Sequence, residues 1–409
     1  MPLRRFFCQE FRSRLETKKV SVIQQPSVTR DLTSTGNILY ETSLGKASLK
    51  KGRDEAFTSS TVAAIASMSK LLTSVAVLKA VELGILDLDA DLRPLLPTMG
   101  QYGIMTGFDQ ETFTASFATD STPITMRMLL CHTSGHEYDW LNPLLAQWRF
   151  ARSEDLWSGP TVEDKSSLPL LYKPGTSFSY GGGSDWAGKV IQVASGKNLD
   201  EFLREHIWTK LGIQDDISFY PKQNESMARR LADLSTLDGK GLPPAEESDF
   251  DILHGGRDCL GGGGCFSTRD AYFTFLSAVF RRDTRLLSSA SYEELFRPQL
   301  DENLEQAFND YLYSSPEKAM FLTQGIPAEI RKNWSLAGMI CLDGVKGRFG
   351  KNTVLWGGVP CMNWWMDPEN EVCGTAFCQI IPPMHPGVMA LHEQFQRCVV
   401  EIKSTKNKL

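Results

Sequence analysis

Strand-forming segments stand at both ends of this chain, and most of the helical pattern lies between them. That distribution constrains the fold most, because strands from the two termini must meet to bury their apolar faces. Near the N-terminus, β-prone pieces punctuated by Gly36 and Gly45 run from Val20 to about Leu49. Strand texture returns at 334–342, 352–358, 362–367 and 372–380. The expectation is an α/β protein: a mixed sheet built from both termini and flanked by helices, with a mostly helical lobe inserted. A site would lie in the cleft between them. With no repeat or long linker, residues 1–409 read as one unit. Its α/β lobe is expected from about 1–60 and 330–409, and its helical lobe from about 61–329.

Within the middle, Leu71, Leu72, Val75, Leu78 and Val81 recur at threes and fours, which predicts a helix from about Ser67 to Leu83. Gly84 ends it, since glycine takes the left-handed conformation without a steric penalty. Helices are also expected over 124–131, over 184–211 with a break near Ser195-Gly196, and at 268–281 behind a Gly-rich run at 255–264. Two weaker ones follow near 290–312, and a last one spans 387–402. Phe6, Phe7, Phe11 and Leu15 mark an amphipathic helix over 3–17.

A net charge of −6 argues against a nucleic-acid partner, which would call for a basic excess. Arg4, Arg5, Arg12 and Arg14 precede no apolar run of signal-peptide length, and nothing approaches a membrane span. A cytoplasmic protein is expected. The nine cysteines form no C-x-x-C pair, so buried free thiols are expected rather than disulfides or zinc. His132 and His136 are separated by a Thr-Ser-Gly turn, which does not suit a metal site. No metal or organic cofactor is expected.

Three segments could carry chemistry. The first is Ser67-Met68-Ser69-Lys70 at the start of the strongest helix. Residues three apart share a helical face, so the amine can reach the hydroxyl. A hydroxyl needs an adjacent base to act as a nucleophile near neutral pH, and a helix N-terminus favours negative charge at its first turn. Ser-x-x-Lys also starts at Ser43, Ser48 and Ser315, but only Ser67 opens a long apolar helix. The bland alternative is a solvated lysine one turn from a serine.

The second segment runs from Pro174-Gly175 through Tyr180 to Gly181-Gly182-Gly183. Its turn delivers a short aromatic strand into a glycine loop, where backbones approach closely. A phenolate is a strong base that a neighbouring cation can populate. A packed tyrosine with a satisfied hydroxyl is the alternative. Gly183 to Lys189 resembles a phosphate-binding loop, but Val190 stands where Ser or Thr should hold Mg²⁺, so nucleotide binding is set aside. The third segment is Leu355-Trp356-Gly357-Gly358-Val359-Pro360. Glycines at a strand end let a ligand lie against the backbone, and an N–H there could serve an oxyanion. A bulge in an edge strand is the alternative.

In this order the segments resemble the class C β-lactamase-like serine hydrolases, the superfamily of penicillin-binding proteins and family VIII esterases. The phrases are Ala66 to Leu72, Leu130-Cys131-His132-Thr133-Ser134-Gly135, Pro174 to Tyr180, and Trp356-Gly357-Gly358. Likeness to the fungal lovastatin-type acyltransferases and esterases is closer still, through Asp185 to Lys189, 261–264, and Asp367-Pro368 with Cys373. The resemblance covers roughly 60–385. It implies a Ser67-Lys70-Tyr180 triad, with the oxyanion on the backbone N–H groups of Ser67 and Val359. Two departures stand out. Gly182 fills the Asn position of Tyr-x-Asn, and Trp356-Gly357-Gly358 replaces a Lys-Thr-Gly strand. Both lost groups are polar anchors for β-lactams, and an aromatic wall with small glycines suits a bulky apolar ester.

The implied function is hydrolysis of a polyketide-like, statin-type carboxylic ester through a Ser67 acyl-enzyme. The alternative is acyl transfer to an alcohol, from a thioester donor on a small molecule or on an acyl carrier protein. A binding protein without activity is the reading from another class, and intact Ser67, Lys70 and Tyr180 argue against it. Ser67→Ala should lower kcat on the order of 10⁶-fold with the fold intact. Ser43→Ala, Ser48→Ala and Ser315→Ala should be nearly silent; esterase assays on the four variants decide it.

Overall fold

The computed structural model describes residues 28–33, 38–237 and 245–406, so the amphipathic helix expected over 3–17 lies outside the described residues. The main sheet has seven strands: β1 (Val28–Thr33), β2 (Ile38–Thr42), β3 (Lys332–Trp334), β4 (Met339–Cys341), β5 (Thr353–Gly358), β6 (Met362–Asp367) and β7 (Val372–Phe377). Their spatial order is β3-β4-β5-β6-β7-β1-β2. The termini do meet: β1 runs against β7, from Val28 opposite Phe377 to Thr33 opposite Val372. Every pairing is antiparallel, which corrects the expectation of a mixed sheet. The C-terminal strands follow one another through short turns, and a parallel neighbour would need a long crossover. The single strand expected over 334–342 is instead the hairpin β3–β4, because apolar residues continue through its Leu336-Ala337-Gly338 turn.

Along β6 and β7 successive side chains point to opposite faces. Trp365 meets Phe395 of the closing helix Pro386–Lys406 with ring centres 5.6 Å apart. Phe377, on the other face, meets Tyr272 of helix Arg269–Phe280 at 6.0 Å. Burial from both sides explains why β5, β6 and β7 read as continuous apolar runs rather than alternations. Trp356 is paired with Trp364 and therefore lies on the Tyr272 face, and so does Gly358.

The Ser67 segment approaches that face. Strand Val62–Ala64 pairs with Phe266–Thr268 and leads into a 3₁₀ turn, Ala66–Met68, before the α-helix Ser69–Glu82 begins. Ser67 therefore sits one turn earlier than the helix expected to carry it. Ala66 has φ +43°, uncommon for a residue with a side chain. The turn is held by Ser69 Oγ, which donates to the Ala66 carbonyl at 2.6 Å and accepts from Cys265 N–H at 3.2 Å. Gly84, with φ +69°, ends the helix as expected. The helical run from 183 breaks at Gly196, also as expected, into Gly183–Ser195 and shorter pieces from Leu199 to Leu211. Helices Pro143–Ala151, Val162–Ser166 and Pro316–Leu322 and the hairpin Ile104–Asp109/Thr114–Ala118 were not anticipated.

The end of β5 touches the Ser67 turn so closely that a Cβ on Gly358 would lie 2.5 Å from the Ile65 carbonyl oxygen. Backbone must then move. Gly358→Ala should destabilise the fold by about 1–3 kcal/mol, as overpacking does, and lower kcat at the same time. Thermal denaturation and steady-state kinetics on the purified variant measure both.

Candidate active site

The structure brings the three expected side chains together. Lys70 Nζ donates to Ser67 Oγ at 3.1 Å, and the Tyr180 hydroxyl lies 2.9 Å from the same oxygen. The 3₁₀ turn lifts Ser67 to the cleft while Lys70, one turn on, is only 5% exposed. Tyr180 enters from the loop that precedes helix Gly183–Ser195. His132 underlies it: the rings are 4.7 Å apart, and His132 Nδ1 accepts from the Gly181 N–H at 3.3 Å. Burial, reinforced by the Lys70 charge, holds the His132 pKa well below its ordinary value. His132 is a neutral prop beneath Tyr180 there.

Lys70 has two further acceptors. Its ammonium donates to the Gly262 carbonyl at 2.7 Å and to the Tyr138 hydroxyl at 3.3 Å. Tyr138 in turn donates to Asp185 Oδ2 at 3.2 Å, and Gly262 N–H donates to Asp185 Oδ1 at 2.8 Å. Burial pushes the Asp185 pKa up, partly offset by Lys70. Burial first, then the Asp185 charge, raises the Tyr138 pKa well above its usual range, so Tyr138 keeps its proton.

Trp356, expected as a wall for substrate, does not line the cleft. It is 4% exposed, and its indole N–H donates to the Tyr180 hydroxyl at 3.1 Å from behind. Gly357 and Gly358 stand beside it in an interior strand of unbroken register, not in a bulged edge strand, with Gly358 against Ile65. Val359, just past the strand, lines the cleft together with Ser67. The cleft holds about 650 Å³ and is walled by Tyr138, Trp140, Trp157, Phe250 and Phe321. A Cβ on Gly182 would lie 2.7 Å from Ser166 Oγ, so a longer side chain there would require Ser166 to turn away. Among the described residues no helix is long and apolar enough to cross a membrane.

A hydroxyl flanked by an ammonium and a second hydroxyl, at the floor of an apolar cleft, is an arrangement for acyl transfer. The sequence profile of the beta-lactamase family matches residues 14–396. The chain belongs to the beta-lactamase family. Within the family it is 32% identical over 357 residues to a lovastatin esterase of Penicillium rubens, covering 87% of this chain and 88% of that one. It is 30% identical to a monacolin J acid methylbutanoyltransferase of Aspergillus terreus, covering 82% and 81%. Its fold superposes on a mutant simvastatin synthase from Aspergillus terreus with a TM-score of 0.85 at 28% identity, covering 97% and 94%.

Tyr138, Asp185 and Gly262 were not singled out from the sequence. One signal was available: Asp185 and Gly262 stand within the two phrases, Asp185 to Lys189 and 261–264, that carry the closer resemblance. Tyr138 gave none, being one tyrosine in a loop. Two of the other three Ser-x-x-Lys serines have structural partners: Ser48 donates to Asp233 at 2.6 Å, and Ser315 caps helix Pro316–Leu322.

If Lys70 and Tyr180 act on Ser67 as one unit, Tyr180→Phe or Lys70→Ala alone should lower kcat nearly as much as both together. Trp356→Phe, which removes only the donor behind Tyr180, should give a smaller loss, on the order of 10-fold. Losses that multiply independently in the double mutant would redraw the triad.

Proposed function

We propose that this chain is a serine esterase of the Ser-x-x-Lys type, cleaving a carboxylic ester of a polyketide-like, statin-type small molecule. The observation that carries this reading is the position of Ser67 Oγ, 3.1 Å from Lys70 Nζ and 2.9 Å from the Tyr180 hydroxyl, where the apolar cleft of about 650 Å³ ends. Ser67 Oγ bonds to the ester carbonyl carbon, and its proton passes to its partner. The oxyanion is stabilised by the N–H groups of Ser67 and Val359. Collapse expels the alcohol, which takes the proton, and leaves an acyl-Ser67 that water hydrolyses to the acid. All three N–H groups of Lys70 have acceptors, at Ser67, Tyr138 and Gly262. That favours the Tyr180 phenolate as the proton acceptor and Lys70 as the fixed charge beside it. Each half-reaction runs on these side chains without a metal or cofactor. A cytoplasmic location fits the buried thiols of Cys131, Cys259, Cys265, Cys341, Cys361 and Cys378, which a reducing compartment preserves.

A second reading has a specific observation behind it. The chain is about equally similar to an enzyme named as an esterase and to one named as an acyltransferase, at 32% and 30% identity. In that reading a thioester, on a small molecule or an acyl carrier protein, acylates Ser67, and an alcohol of the polyketide replaces water. The two differ only in what clears the acyl-enzyme.

Incubation with a statin ester in buffer, and with the free alcohol plus an acyl thioester, separates them by product mass. Acid and alcohol from the ester, with at most a minor yield of new ester from the thioester, are expected. Dominant ester formation from the thioester would move the assignment to the transferase.

A further inference from the structure

Asp185 is wholly buried, and among the described residues no cation touches its carboxylate. A buried charge without a counter-charge is unfavourable unless something compensates it. Its compensation lies one hydroxyl away. Asp185 Oδ2 accepts from Tyr138, and the oxygen of Tyr138 accepts from Lys70 Nζ, 3.3 Å away. Gly262 makes a second, parallel connection, with its N–H on Asp185 Oδ1 at 2.8 Å and its carbonyl on Lys70 at 2.7 Å. The glycine is required: a Cβ there would lie 2.8 Å from Asp185 Oδ2 and 2.9 Å from the Tyr138 oxygen.

We propose that Asp185 is a positioning residue for Ser67: through Tyr138 and Gly262 it holds the Lys70 nitrogen in place and aims its remaining N–H at the Ser67 oxygen. A direct Lys70–Asp185 ion pair would draw the ammonium off Ser67. The interposed hydroxyl retains the attraction and leaves the geometry of the reacting group alone. Tyr138 can fill that place because its own proton is committed to Asp185, which leaves a lone pair for Lys70. The other charged group facing Asp185 is Lys165, from helix Val162–Ser166, whose ammonium is held by the Trp157 and His254 carbonyls at 2.6 and 2.9 Å. The neighbouring carboxylate, Asp139, is engaged by Arg149 at 2.9 Å.

The inference rests on the Ser67 acyl-enzyme proposed above. Asp185→Asn keeps the shape and the acceptor for Gly262 N–H and removes the charge. The expected loss in kcat on p-nitrophenyl butyrate is on the order of 10²-fold, as for removal of one preorganised electrostatic group, with KM changed less than about 2-fold. The pH profile is the readout a packing role would not move. Removing a negative charge favours the deprotonated form of each neighbouring group. The alkaline limb of kcat/KM should therefore fall at lower pH. The acid limb should also move to lower pH, because wild-type Asp185 loses its charge as pH falls through a value burial has raised, and asparagine cannot titrate. Tyr138→Phe, which cuts the link and keeps the ring, should move the alkaline limb the same way, and it carries the test if Asp185→Asn does not fold. The double variant should be no worse than the more severe single one. Unchanged limbs in folded variants, with Ser67→Ala inactive, would overturn the role of Asp185 alone. An active Ser67→Ala would overturn the acyl-enzyme beneath it.

Discussion

The ammonium of Lys70 ties together segments that the sequence keeps far apart. It reaches Ser67 in the 3₁₀ turn just before its own helix, Tyr138 after the His132–His136 turn, and the backbone of Gly262 in the glycine-rich run. Taking such a charge out of water is unfavourable by several kcal/mol before partners offset it. The site can exist only where three acceptors and a nearby carboxylate converge. Helix Ser69–Glu82 supplies the anchor, almost fully buried along its length. Helix Gly183–Ser195 brings Asp185, and the glycine-rich run at 261–264 carries both signs of dipole, N–H to the carboxylate and C=O to the ammonium.

The sheet acts on this assembly from the other side. Trp356 reaches Tyr180 from β5, and the end of that strand lies against the Ile65 carbonyl. In family members that open β-lactams, the corresponding strand is read as a polar anchor. Here its tryptophan donates to a protein hydroxyl and is buried away from the cleft. The Gly182 departure has an equally local cause, since Ser166 would have to turn away to admit an asparagine. Both departures are thus fitted to the packing around Tyr180 and Asp185.

Much of this was legible beforehand. The two-ended sheet followed from strand texture, and the helix carrying Lys70 from its apolar period and from Gly84. Ser67, Lys70 and Tyr180 each stood in a short phrase with a chemical reason. What stayed hidden was long-range. Antiparallel order depends on which turns are tight, and Leu336-Ala337-Gly338 looks as apolar as the strands it separates. Tyr138 and Asp185 lie 47 positions apart and meet only in the fold. Trp356 was read as facing substrate because a tryptophan beside two glycines looks like a wall. Strand parity, fixed by its pairing with Trp364, turns it inward.

The absence of Trp356 from the lining of the large cleft has a further consequence. The cleft rim is made by Trp140, Trp157, Phe250 and Phe321, of which Trp140 and Phe250 are 38% and 42% exposed. The groups that handle the proton are braced by His132 and Trp356, which do not line this cleft, and by Tyr138 and Gly262, which do. The mouth of the cleft and the proton-handling groups therefore lie on different parts of the chain, joined at Tyr138. Side chains at the doorway, Trp140, Trp157, Phe250 and Phe321, can be reshaped without touching the hydrogen bonds that hold Lys70.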